Sequence, residues 1–283
     1  MPTLPRLALP LSATCLVAVL AACPPEVEPA PEDLDGVAHW LWLNYTLADD
    51  TAVADAVNKL HRAADGETRS EPMRGRLTRL QSADLAVVGM EHKDPKKAVG
   101  IFAFTALDCD LKTVEELVYE LDQKRFFPEG YQSYNRRYTS DFDAYKRRDD
   151  PFLSWDVDID AIISGGVLNV PYSESIKGGI RYTGTLDGVE GQSGPFLVSH
   201  TWMPEPAVFE DDVNSFSQDY QISVYYEPKP GRVLHLYGIW RQMYFGGIGL
   251  GTDDNWVQDI QLDNLIKWDE RVQEICATWP DVP

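Results

Sequence analysis

Ile101-Phe102-Ala103-Phe104-Thr105-Ala106, running into Thr113-Val114-Glu115-Glu116-Leu117-Val118, sets an apolar strand directly before a capped helix. The pattern predicts a strand over residues 98–107, closed by Cys109. Thr113 and Glu116 form a capping box, and Val114, Leu117, Val118 and Leu121 continue the apolar stripe of the helix it opens. Upstream, Leu85-Ala86-Val87-Val88 reads as a second strand, across a turn at Lys93-Asp94-Pro95-Lys96-Lys97. A helix is expected over residues 50–64, with Val53, Val57 and Leu60 on one face. The dense apolar stretch 37–47 before it (Trp40, Leu41, Trp42, Leu43, Tyr45) has to be buried.

Downstream, residues 125–150 are aromatic and charged without a clean period, so short helices and loops are expected there. From Pro151 the pattern turns to strands. Trp155-Asp156-Val157-Asp158-Ile159-Asp160 alternates an apolar with an acidic face, as a half-exposed antiparallel strand does. Further strands are expected over 180–185, 196–203, 220–227 and 232–244, the last two joined by a hairpin at Glu227-Pro228-Lys229-Pro230-Gly231. The last strand alternates Val233, His235, Tyr237, Ile239 and Arg241 with Leu234, Leu236, Trp240 and Tyr244. Both of its sides need cover, one from a helix and the other from the N-terminal segment. A helix over 253–278 ends the chain, with Leu262, Leu265, Val272 and Cys276 as its stripe, flanked by Ile266, Trp268 and Ile275.

This order of elements resembles the START-like, helix-grip (SRPBCC) superfamily. The likeness rests on residues 101–106 leading into 113–118, and on the strand from Arg232 to Tyr244 leading into the helix at Trp256. It implies an α+β fold over residues 37–283, in which a curved antiparallel sheet wraps a long C-terminal helix and encloses an apolar cavity; residues 37–84 form an N-terminal helical part. It also implies a lipid or other apolar small molecule as ligand. The candidate lining residues lie on the late strands: His200, Trp202, His235, Tyr237, Trp240 and Arg241. Packing without a ligand is the alternative role for each of them.

The N-terminus carries a second resemblance. Arg6 precedes an uncharged run from Leu7 to Leu20, and Leu20-Ala21-Ala22-Cys23 is similar to the lipobox of bacterial lipoproteins. That likeness implies a signal peptide over residues 1–22, acylation of Cys23 with palmitate-like chains, and a membrane anchor at the new N-terminus. The apolar run is shorter than the ~20 residues a membrane-spanning helix needs. Residues 23–36, rich in Pro and Glu, are expected to be a solvated tether of ~40 Å reach at ~3.1 Å per residue. Pro24, where retained lipoproteins often carry Asp, favours the outer membrane of the cell envelope.

The 283 residues hold 25 basic and 45 acidic side chains, a formal net charge of −20. Such a chain is poorly suited to nucleic acid, whose phosphates reward Lys and Arg, and to lying flat on anionic lipid. A basic protein partner is the kind of macromolecule an acidic surface would suit. Of the four cysteines, Cys15 leaves with the signal and Cys23 is lipidated. An exported compartment is oxidising, so a Cys109–Cys276 disulfide is expected, with two buried small hydrophobes as the alternative.

Few motifs carry chemistry. Gly246-Gly247-Ile248-Gly249-Leu250-Gly251 lacks the Lys-Ser/Thr and the βαβ unit of a phosphate loop and is expected to be a bend. Asp156, Asp158 and Asp160 lack the glycine turn of a calcium loop and read as solvated edge charges. No histidine pair has metal-ligand spacing, and neither a metal nor a cofactor is expected. His200 and His235, meeting across strands beside Asp219, are the one enzymatic seed. Three functions therefore stand open: a ligand-binding lipoprotein, an interaction lipoprotein with an acidic surface, and an enzyme acting on an apolar substrate.

Overall fold

The computed structural model describes residues 27–65, 70–165, 168–186 and 194–279. Among these, α1 (Leu34–Asn44) and α2 (Asp50–Ala63) come first, then β1 (Met73–Leu77), α3 (Ser82–Leu85), β2 (Val99–Leu107) and α4 (Leu111–Tyr119). β3 (Tyr131–Tyr138), α5 (Phe142–Lys146), β4 (Phe152–Gly165), β5 (Leu168–Thr183) and β6 (Phe196–Trp202) follow. The chain closes with β7 (Val208–Phe209), β8 (Asn214–Lys229), β9 (Arg232–Phe245), β10 (Leu250–Gly251) and α6 (Asn255–Cys276). All pairings are antiparallel, in the order β1-β2-β9-β8-β6-β5-β4-β3, with β7 added to β5 and β10 to β9.

Eight strands at ~4.8 Å spacing would span ~34 Å if flat, whereas a helix is only ~10–12 Å across. Yet α6 touches both ends of the sheet. Arg74 and Arg76 of β1 bond Asp263 and Asn255 of α6, and Phe127, just before β3, stacks on Trp268 of α6 at 3.7 Å. The sheet therefore curls around the helix, as a helix-grip fold does. α1 and α2 cover its outer face.

Parity along β8 and β9 assigns the two faces. Tyr220, Ile222, Val224, Leu234, Leu236 and Trp240 point outward into one core with Leu41, Trp42, Val53 and Val57 of α1 and α2. On the inner face, Ile239 packs with Leu265 and Ile266, while Val233 and Tyr225 share a core with Val272 and Ile275. Gly100 is required where Trp240 crosses β2, because a Cβ there would lie 2.7 Å from the indole.

Three links tie α6 to the rest of the fold. Asp269 is 2% exposed; it takes a 2.5 Å hydrogen bond from Thr105 of β2 and lies 2.7 Å from Nδ1 of His235 on β9. Arg271 donates from Nε to the Phe126 carbonyl (2.9 Å). Cys276 is bonded to Cys109, closing a separation of 167 residues. By chain entropy alone such a loop contributes about 5 kcal/mol.

Several local expectations are corrected. Residues 85–88 continue α3 as a 3₁₀ turn, since a short apolar run does not distinguish helix from strand. The first strand is instead the Arg-rich β1, whose two arginines are answered by α6. The helix after β2 is capped by Asp110, which accepts from Thr113 N at 2.8 Å, so the Thr113–Glu116 box is not used. Residues 131–138 form strand β3, and Asp156, Asp158 and Asp160 therefore lie on an interior strand. Asp158 pairs with Arg137 and Ser175, and Asp160 with Ser133 and Ser173. Part of the expected tether is packed: Ala30 is 5% exposed, its carbonyl accepts from Lys59 Nζ (2.8 Å), and α1 already begins at Leu34.

If α6 holds the inner face together, Leu265→Ala should cost ~2–5 kcal/mol as a buried large-to-small change. Lys267→Ala, exposed on the same helix, should stay within ~0.5 kcal/mol. Urea unfolding of the two variants measures both.

The cavity under the C-terminal helix

The inner face is not filled. Between α6 and strands β4, β5, β8 and β9 lies a cavity of about 670 Å³. Most of its wall is apolar, with Phe126 and Phe127 before β3, Ala161 and Ile163 of β4, Phe216 of β8, Met243 and Phe245 of β9, and Val257, Ile260 and Trp268 of α6, while Glu129, Lys267, Arg271 and Glu274 bring charge to it. Space remains because α6 presents Gln261 and Asn264 here, where a closed core would need large apolar side chains.

The floor is polar. Arg241 of β9 grips Asp219 of β8 with two bonds, Nε–Oδ1 at 3.0 Å and Nη2–Oδ2 at 2.8 Å. Gln221 Nε2 donates to the same carboxylate (2.5 Å), and the Tyr237 hydroxyl donates to Gln221 Oε1 (2.9 Å). From the other side β5 supplies Tyr172, which lines the cavity, and then Glu174 on the same strand face. The Tyr172 hydroxyl reaches Glu174 Oε1 over a long 3.4 Å, and Oε2 is covered with no hydrogen-bond partner.

Glu174 itself is half-buried. Burial, followed by the charge of Asp219, pushes its carboxyl up to about 8, with Arg241 opposing. At neutral pH it is mostly the protonated acid. Burial also raises the hydroxyls of Tyr131, Tyr134, Tyr172 and Tyr237.

The six residues expected to line the cavity divide between the two faces. Arg241 lines it. His235 and Tyr237 share that inner face, but His235 is fully buried against Asp269 and the Tyr225 ring (3.9 Å), where it helps to hold α6. His200, Trp202 and Trp240 are on the outer face. Trp42 of α1 meets His200 at 3.8 Å and Trp240 at 5.9 Å, and Trp202 lies 5.6 Å from His200. The paired positions Trp202↔Tyr220 and His200↔Ile222 dictate this parity. The sheet itself thus separates His200 from His235, so the expected histidine pair does not form. Burial alone lowers His200 to about 3 and keeps it neutral.

Tyr172, Glu174, Phe216 and Met243 were not among the expected site residues. A carboxylate inside the apolar alternation Tyr172, Glu174, Ile176 was the signal that could have found Glu174. Among the described residues, no group of His, Cys, Asp or Glu is arranged to hold a metal, and no helix is long and apolar enough to cross a membrane. Cys23 lies outside the described residues.

A folded-state carboxyl near 8 against an ordinary 4.5 means the folded chain holds a proton there that the unfolded chain has released. This contribution to stability is therefore lost as pH rises from 4.5 to 8. Glu174→Gln removes the titration, so the stability of the variant relative to the parent should climb across that window. Denaturant melts of both chains at pH 5 and pH 8 give the difference, and a flat difference contradicts the assignment.

No protein-family model matches the chain, and no curated protein does. Solved structures similar to it include a START superfamily protein from Mycobacterium smegmatis, at 8% identity over 63% of this chain and 97% of that one, with a TM-score of 0.41. The lipid transfer and protein localization domain of human StarD13 aligns at 10% identity over 65% of this chain and 80% of that one, TM-score 0.34. A STAR-related lipid transfer protein fragment from Xanthomonas axonopodis aligns at 10% identity over 52% and 77%, TM-score 0.31.

Proposed function

We propose that this chain is an envelope lipoprotein whose domain holds a lipid or other apolar small molecule beneath α6. The observation that carries the reading is the cavity itself, about 670 Å³ with mostly apolar walls and a few converging polar groups. Small-molecule sites fall in the range of roughly 300–1,000 Å³ with this same division of wall and floor. Acylation at Cys23 would tether the domain at the membrane, where such ligands are found. A basic protein partner is the weaker reading, because Asp158 and Asp160 already have Arg137 and serine partners. An enzyme built on His200 and His235 is not proposed.

The full chain, purified without detergent, should retain an apolar ligand in native mass spectrometry or take up a fluorescent fatty-chain probe. Ala161→Phe, which fills part of the cavity, should lower that uptake about tenfold, equivalent to ~1.4 kcal/mol of lost contact. A parent chain that carries and takes up nothing contradicts the reading.

The anchor is tested separately. Cys23→Ala should abolish incorporation of labelled palmitate and leave the chain unprocessed or released from the membrane fraction. Unchanged labelling and fractionation would place the anchor elsewhere.

A further inference from the structure

Several charged groups of the inner face find partners within the protein. Arg241 is paired with Asp219 through two hydrogen bonds. Asp269 has Thr105 and His235. Arg136 of β3 donates to the Val118 carbonyl and to the Tyr134 hydroxyl. Glu174 has only the long bond from Tyr172; no lysine, arginine or histidine among the described residues forms an ion pair with it, and Oε2 has no partner at all. A carboxyl left this way destabilises the fold at neutral pH unless something else completes it.

Two ligand groups could do so: an oxygen acceptor for the protonated acid, or a cation for the carboxylate. The surroundings favour the cation. An anion at Glu174 would meet that carboxyl and Asp219, whose partner Arg241 is already engaged, while Lys267, which also lines the cavity, is exposed on α6. The rings of Tyr131 and Tyr172, which line the cavity with Phe216 and Trp268, offer π faces that attract organic cations. The chain as a whole carries a formal charge of −20, which draws cations toward it.

We infer that the cavity takes an amphiphile bearing an organic cation, an ammonium group on an apolar body, with the cation seated against Glu174 and the body along Phe216, Met243 and Trp268. This rests on the ligand-binding reading above and narrows its ligand class. Oε2 is covered, but the last torsion of a glutamate side chain is soft, so the carboxyl can reorient toward a ligand held beside Tyr172. The groups facing Glu174 are Tyr131 and Tyr134 from β3, Tyr172 from β5, Asp219 from β8 and Tyr237 and Arg241 from β9. Burial holds the tyrosines above their ordinary range, and the charge of Asp219 keeps Arg241 a cation. Between pH 7 and 9 Glu174 is thus the group expected to set the pH dependence.

The test is calorimetric titration of the full chain with three ligands of one chain length, decyltrimethylammonium, decanol and decanoate, each below its micelle concentration, at pH 7 and pH 9. The quaternary ammonium does not titrate. Its affinity should exceed that of the other two and rise about tenfold from pH 7 to 9, as a carboxyl near 8 ionises. Glu174→Gln should keep decanol binding, which shows an intact cavity, while losing both the cation preference and the pH rise. Decanol or decanoate binding as tightly as the ammonium, or an affinity that falls toward pH 9, overturns the cation inference and leaves the cavity reading standing. Failure of all three ligands to bind overturns both.

Discussion

Strands β8 and β9 carry buried side chains on both faces, so neither side of the sheet centre can meet water. Outward stand Tyr220, Ile222, Leu236 and Trp240; inward stand Asp219, Tyr225, Val233 and Ile239. A lone antiparallel sheet commonly leaves one face solvated. This one cannot, and the rest of the architecture answers that need: α1 and α2 close the outer face, and α6, held through Asp269, Arg271 and Cys276, closes the inner one.

The two closures differ in quality, and the difference makes the site. Trp42, His200, Tyr220 and Trp240 interlock edge to face on the outer side. On the inner side the sheet curls around a single helix whose middle is polar at Gln261 and Asn264, and the curve leaves more room than that helix fills. The polar cluster lies where the strands from both directions bring Arg241, Asp219 and Glu174 together. An unmatched acid in such a place lowers stability at neutral pH, and natural chains keep such costs at functional sites.

How much of this was legible in the sequence depended on parity. In β9 both faces are apolar and regular, so the two sets Val233–Arg241 and Leu234–Trp240 separated cleanly, and the long amphipathic stripe of α6 marked its inner side. In β6 the bulky residues His200 and Trp202 suggested a cavity wall, but bulk fills space; the set opposite, with Ser199 and Thr201, is the one that faces inward. β3 was hidden by a bulge between Tyr131 and Ser133, which breaks its period of two. The part of β5 before Ile180 was hidden by Pro171, Glu174 and the pair Gly178-Gly179, none of which favours a strand. The residue most informative about the site thus obscured the element that carries it.

The central claim is that ligand binds between α6 and the inner face. Its most direct measurement is an anomalous-difference map from crystals of the full chain grown with a decyl chain brominated at its far end. The account predicts a bromine peak beside Phe216 and Met243, enclosed by Val257 and Trp268. A peak on the outer face beside Trp202, or an α6 packed against β8 and β9 with no space between them, would contradict it.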